Sequence, residues 1–211
     1  MSRPLDGGFS IGSVAIGGRL VLSPMAGVTD SAYRRICREM GAAIVFTELI
    51  SADGLIRSNR RTSDYLHFTE GERPLGVQLF GADAAIIRRA LDVVETVGPD
   101  IVDLNCGCPV PKVVKRGAGS ALMNEPGKLR EIVEALAKNS RHPITVKIRS
   151  GWDAEHRNAV EIARMLEGAG AAGVAVHGRT RSVGHSGMAD WSIIAEVKNA
   201  VSIPVIGNGG V

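Results

Sequence analysis

The strongest constraint on how this chain folds is a recurring unit: a short strand, apolar on both faces, followed by a helix-forming stretch. Arg19–Leu22, Ala42–Glu48, Pro74–Phe80, Ile101–Leu104, Ile144–Ile148, Gly173–Val176 and Ile203–Ile206 read as such strands. None has the polar alternation of a sheet with one wet face, so each is expected in a parallel sheet covered by helices on both sides. Asp30 can cap a helix over Ser31–Met40, where Tyr33, Ile36, Cys37 and Met40 recur at helical spacing. A helical turn is expected near Asp53–Ser58, and Asp83 opens a helix running to about Val97. Pro126 starts another, with Leu129, Ile132, Val133 and Leu136 on one face, and two more are expected over Ala154–Glu167 and Trp191–Ala200. Gly12 to Gly18 reads as a small hairpin that caps the remainder.

βα units at roughly 30-residue intervals leave two architectures, a doubly wound open sheet or a (β/α)8 TIM barrel. No Gly-x-Gly-x-x-Gly follows the first strand, where a dinucleotide-binding sheet would carry it. Polar or chemically able groups instead stand at the C-terminal ends of nearly all the strands: Met25, Glu48, Gln78, Asn105 and Cys108, Lys147 and Arg149, His177 and Arg179, and Asn208. A barrel gathers such ends into one mouth, so the expected class is α/β, a TIM barrel. A closed barrel needs an eighth strand and typically about 250 residues. Residues 1–211 are therefore expected to form one incomplete barrel domain, truncated after the seventh strand.

Composition narrows the function classes. The chain is 45% hydrophobic and 22% charged, as ordinary globular domains are. No apolar run approaches the roughly 20 residues of a membrane-spanning helix. The N-terminus lacks a signal-peptide hydrophobic stretch, so the expected location is the cytoplasm. Three cysteines do not form a disulfide framework and fit a reducing compartment. A net charge of +3 is too small by itself to argue for nucleic acid; placement of the basic residues matters more.

The stretch Asp103-Leu-Asn-Cys-Gly-Cys-Pro109 carries the chemistry out of the fourth strand, which is expected to break into a turn at Asn105. Cys106 and Cys108 have no further ligands at metal-binding spacing, so no metal site is expected. Cys106 and Cys37 read as small buried hydrophobes. Cys108 precedes Pro109 in a loop with Lys112, Lys115 and Arg116. A free thiol is mostly protonated at neutral pH, so Cys108 can act as a general acid, and basic neighbours favour the thiolate left behind. Lys147, flanked by Val146 and Ile148, either reaches out of the barrel or points inward as a buried cation that needs an electron-rich partner. Gln78 also needs partners, at a cost of about 1–3 kcal/mol if it lacks them. These two groups and His177 suit a flat heteroaromatic cofactor with several carbonyls, and a flavin fits. Gly207-Asn-Gly-Gly210 follows the seventh strand, where barrels build phosphate sites. The mouth loops also hold Arg149, Arg179 and Arg181, a surplus that points to a polyanionic substrate, while 4% aromatics argue against extensive base stacking.

Taken in order, Pro24-Met-Ala-Gly27 with Thr29-Asp30, Val77-Gln-Leu-Phe-Gly81, Asp103–Pro109, Lys147-Ile-Arg-Ser-Gly151, His177-Gly-Arg-Thr-Arg181 and Gly207–Gly210 resemble the tRNA-dihydrouridine synthases, with the bacterial B-type branch the nearest. The resemblance implies an FMN-dependent barrel that uses NADPH to reduce the 5,6 double bond of selected uridines in tRNA. It implies hydride transfer from FMN N5 to uracil C6 and protonation of C5 by Cys108, with the base flipped out of its stack. Pro24, Met25 and Ala26 would line the flavin, Gln78, Lys147 and His177 would contact its ring, and Asn208, Gly209 and Gly210 would hold its phosphate side. Asn105, Arg149 and Arg179 would contact the substrate. The sequence departs from the family pattern at His185, where an aromatic residue is expected, and in lacking an eighth strand and a helical tRNA-binding domain. The chain alone is therefore expected to be a monomer with little synthase activity. The alternatives are a barrel flavoenzyme reducing a small molecule of the dihydroorotate or dihydropyrimidine type, and a non-catalytic tRNA-binding protein.

Overall fold

Consecutive strands lie side by side without a reversal of order. The structure, a computed structural model, describes residues 7–57 and 60–211. Its main sheet runs β3 (Val45–Phe46), β5 (Leu75–Phe80), β6 (Ile101–Cys106), β7 (Ile144–Arg149), β8 (Gly173–His177) and β9 (Val205–Asn208), all parallel, with β4 (Ile50–Ser51) also paired to β5. A doubly wound sheet would switch direction partway; this order is that of a (β/α)8 barrel. The first expected strand, Arg19–Leu22, is reduced to an isolated parallel bridge between Val21 and Ile44 and two flanking hydrogen bonds.

Strand residues alternate between two destinations. Val102, Leu104, Val146, Ile148, Val174 and Val176 face the helix layer, where α4 (Ala84–Val97), α6 (Pro126–Asn139), α7 (Ala159–Gly168) and α8 (Trp191–Ala200) bury their apolar stripes. Ile44, Phe46 and Ile101 form a second core with Ile11 and Ile16. The last two come from an antiparallel hairpin, β1 (Phe9–Ile11) and β2 (Val14–Ile16), which plugs the N-terminal end of the barrel. The hairpin read over Gly12–Gly18 is thus present with other bounds: it starts at Phe9, turns at Gly12 and ends at Ile16.

Three local expectations are corrected. β6 does not break at Asn105 but continues through Cys106, because Asn105 and Cys106 keep their register against Lys147 and Ile148. α7 begins at Ala159, not Ala154: Asp153 Oδ1 accepts the amides of Glu155 and His156 and holds 153–156 in a turn. On α1 (Ser31–Glu39) the row expected to face the core is largely outside, with Tyr33, Ile36 and Met40 at 39, 55 and 79% exposure. The helix turns Arg34 inward instead, where its Nε donates to Glu72 at 2.6 Å. Ser58 of the expected 53–58 turn lies outside the described residues; α2 covers Ala52–Ile56.

Candidate active site

The cavity inside the barrel opens at the C-terminal strand ends. Its enclosed volume is about 40 Å³, and it is lined by Val21, Ser23, Pro24, Phe46, Asp103, Thr145, Lys147, Ala175, Ile206, Gly207 and Asn208. Lys147 points inward and donates from Nζ to Asn208 Oδ1 at 2.8 Å. Burial lowers its ammonium to about 8; the Asp103 charge works against that shift and Arg149 adds to it. Asp103 sits on the cavity floor, its carboxyl raised to about 6 by burial against the lowering pull of Thr145, Gln78 and Lys147. At pH 7 the floor therefore holds a carboxylate beside an ammonium.

From Asp103 a line of hydrogen bonds climbs to the cysteine loop. Thr145 Oγ1 donates to Asp103 Oδ1 at 2.5 Å and Gln78 Nε2 to Asp103 Oδ2 at 2.6 Å. Asn105 Nδ2 donates to Gln78 Oε1 at 2.9 Å. Asn105 Oδ1 accepts the amides of Cys108 at 2.9 Å and Gly107 at 3.3 Å. The far side of the loop is held by Ser120, whose amide and hydroxyl both reach the Cys108 carbonyl. Gly119, at φ +62°, allows that approach: a Cβ there would stand 2.8 Å from the Cys108 oxygen.

Arg149 is 2% exposed and binds backbone, its Nε on Gly107 O at 2.7 Å and Nη1 on Thr180 O and Gly184 O at 3.0 and 2.7 Å. It joins the loop after β6 to the loop after β8. Arg179 donates to Gly187 O and lies 3.1 Å from His177 Nε2. Burial, reinforced by the charges of Lys147, Arg149 and Arg179, lowers His177 to about 3, so its imidazole is neutral and accepts that contact. Gly209, at φ +104°, runs so close to His177 that a Cβ would meet its ring at 2.7 Å. His185 tilts against the same ring at 5.9 Å.

The expected residues thus divide into groups. Pro24, Lys147 and Asn208 line the cavity; Gln78, Asn105, Arg149 and His177 are buried around it, and Arg179 is half-buried beside His177. Met25 and Ala26 are exposed in the loop above Pro24, and Gly210 is exposed beyond β9. Cys108 is half-buried in its loop, whereas Cys106 is fully buried in the helix layer, its thiol pushed well up by burial and by the Asp103 charge. The two cysteines therefore do not face one site, and no cluster that could hold a metal ion occurs among the described residues. Nor is any described helix long and apolar enough to cross a membrane. Asp103 and Thr145 escaped the sequence reading. Their inward parity with Asn105 and Lys147 was the available signal.

A family model described as dihydrouridine synthase matches residues 21–211. A tRNA-dihydrouridine synthase B of Pseudomonas aeruginosa is 40% identical over 201 residues, covering 95% of this chain and 60% of that protein. A probable tRNA-dihydrouridine synthase of Rickettsia bellii is 41% identical over 202 residues, covering 95% of this chain and 62% of that protein. The chain thus spans about 60% of the length of these relatives. Among solved structures, histamine dehydrogenase from Rhizobium sp. 4-9 aligns with a TM-score of 0.70 at 17% identity over 97% of this chain and 42% of its own. Morphinone reductase in complex with tetrahydroNAD aligns with a TM-score of 0.65 at 11% identity over 100% of this chain and 81% of its own. At these identities the likeness is one of fold.

Proposed function

The chain belongs to the dihydrouridine synthase family, in its B-type branch, and on that premise we propose that it carries the flavin-binding and proton-donating part of an enzyme that reduces uridine to 5,6-dihydrouridine in tRNA. The groups that line the cavity fit a flavin: an ammonium on Lys147 and the side chain of Asn208, with the glycine turn after it and the neutral imidazole of His177 beside that turn. When bound there, FMN would supply the hydride for C6 of the uracil, with NADPH as the reductant. Lys147 would place positive charge beside the ring, where it can stabilise the electron density of the reduced form. Pro24, with Met25 and Ala26 above it, would line a bound flavin, and Asn208, Gly209 and Gly210 would hold its phosphate. Cys108 delivers its Sγ proton to C5, and solvent returns a proton to the thiolate. Arg149 and Asn105 keep the thiol loop in place through the carbonyl of Gly107 and the amides of Gly107 and Cys108. Arg179, with Lys112, Lys115 and Arg116 exposed on the loop after β6, gives the mouth the positive charge that a tRNA backbone requires.

The observation that carries this reading is the shared framework of cavity and thiol. Lys147 on the floor and the Cys108 loop on the rim are tied through adjacent residues of one ladder, Asn105 opposite Lys147. We propose further that residues 1–211 form the barrel unit and that tRNA capture needs a helical domain beyond them. The test joins this chain to the C-terminal remainder of the Pseudomonas aeruginosa relative and assays dihydrouridine in uridine-containing tRNA with FMN and NADPH. The joined protein is expected to turn over, its Cys108→Ala variant to lose about 10²-fold or more, as removal of a general acid does, and the 211-residue chain to do little. Reduction of free pyrimidine with tRNA untouched would move the assignment to a small-molecule reductase.

A further inference from the structure

We propose that Asp103 is a positioning residue: through Gln78 and Asn105 it dictates how the Gly107–Cys108 backbone is held, and so where the Cys108 thiol stands. The argument is one of hydrogen-bond direction. A carboxylate can only accept, and a backbone N–H can only donate. Between the Asp103 carboxylate below and the Gly107 and Cys108 amides above stand two side-chain amides, each with a donor end and an acceptor end. Only one arrangement satisfies the line. Gln78 must give Nε2 to Asp103 and so offers Oε1 upward; Asn105 must give Nδ2 to Gln78 and so offers Oδ1 to the loop. All members from Asp103 to Asn105 are buried, so water cannot repair a wrong orientation. Thr145 is the one member able to reverse, since its hydroxyl both donates and accepts.

The charged groups around Asp103 do not supply this direction. Lys147 on β7 acts on it through space, and the Cys106 thiol on its own strand is buried and protonated. Neither stands between Asp103 and the loop.

The direction can be reversed on purpose. Asn105→Asp puts acceptors at both ends of the line. Gln78 then cannot satisfy Asp103 and the introduced carboxylate together unless Asp103 takes a proton. Adding Asp103→Asn moves the carboxylate to the top: Gln78 turns over, its Nε2 serving residue 105 and its Oε1 accepting from the new amide, while Thr145 donates to that amide's oxygen. Asp103→Asn alone should be tolerated, because Thr145 can reverse.

The experiment measures melting temperature and amide exchange in the 211-residue chain and its variants, without flavin or tRNA. Asn105→Asp is expected to melt about 5 °C or more below the parent at pH 8, with the deficit shrinking toward pH 5 as Asp103 protonates. Exchange of the Gly107 and Cys108 amides is expected to quicken at least tenfold at pH 8. The double variant should recover most of both losses and show no such pH dependence. Additive effects, or a double variant no better than Asn105→Asp, overturn the proposal; so does failure of both to fold, since the swap should restore the line. A role in packing alone would not give rescue by a relocated charge. The catalytic meaning of the line rests on Cys108 as proton donor, but the two fail separately. Loss of the rescue removes Asp103 as a positioning residue, while an active Cys108→Ala enzyme removes the proton donor.

Discussion

At the residue scale the site is governed by which groups can hold charge once buried. Asp103 and His177 are both displaced toward neutrality, and their effects on stability oppose each other. The folded Asp103 carboxyl, raised from 3.8 to about 6, holds its proton more tightly than in the unfolded chain. Its contribution is full below 3.8 and lost as pH rises through about 6. Folded His177, lowered from 6.5 to about 3, holds its proton less tightly. It supports the fold above 6.5, and that support declines as pH falls toward 3. The uncharged imidazole has a direct check. Proton or nitrogen resonances of His177 should stay flat between pH 5 and 8; a midpoint near 6.5 would mean a cation beside Arg179, and the contact at 3.1 Å would have to be redrawn. Much of this was legible in the sequence. Lys147 and Gln78 stand out because each interrupts an apolar strand, and Cys108 because of its basic, glycine-rich loop. Asp103 stayed hidden because the apolar residues that mark β6 end at Leu104; only with Asn105 and Cys106 in register does Asp103 become an inward residue one layer below Asn105.

At the scale of elements, α1 shows where periodicity and packing part. Its spacing gave the helix correctly, but the side turned inward is chosen by one ion pair rather than by its apolar row. Arg34 reaches Glu72, the Thr29 carbonyl and the His67 carbonyl, and Glu72 also accepts from Ser31 and from the Thr69 amide. A lone apolar row cannot reveal a partner 38 residues away. This network fixes the helix that follows the Pro24–Gly27 loop, so it steadies one wall of the cavity. Removing the Glu72 charge leaves the Arg34 cation buried with only the Thr29 and His67 carbonyls and no counter-charge, and Glu72→Gln is expected to cost about 3–5 kcal/mol in chemical denaturation. Burial works to raise Glu72, but Ser31, the Thr69 amide and Arg34 outweigh it and leave the carboxyl below its ordinary 4.5. The stability it brings is therefore present above 4.5 and lost as pH falls through the lower folded value. Wild type should lose stability on that acid side more steeply than Glu72→Gln; parallel curves would place the ion pair outside the balance.

At the scale of the whole molecule the sheet has a protected middle and two thin sides. β6 and β7 lie between neighbours on both sides and bury most of their residues, whereas β9 pairs only with β8 among the described residues and all four of its positions are half-buried. On the opposite side Val21 contributes a single bridge. Strand order, the hairpin plug and the helix layer could be inferred from the repeating units, because each is a matter of local pattern and sheet order. How firmly the last strand is held could not, since that depends on what lies against it. The consequence reaches the site directly, because β9 carries Asn208 and leads into Gly209 and Gly210. Local opening follows the number of ladder bonds and the apolar area that must be exposed. Amides of β9 should therefore exchange much faster than those of β6 and β7, and FMN binding should slow β9 selectively if Asn208–Gly210 grip the phosphate. In the protein joined to the remainder of the Pseudomonas aeruginosa relative, a strand pairing on β9 should slow its exchange before any ligand is added. Equal exchange across β6, β7 and β9 in the 211-residue chain would show that this side is already held.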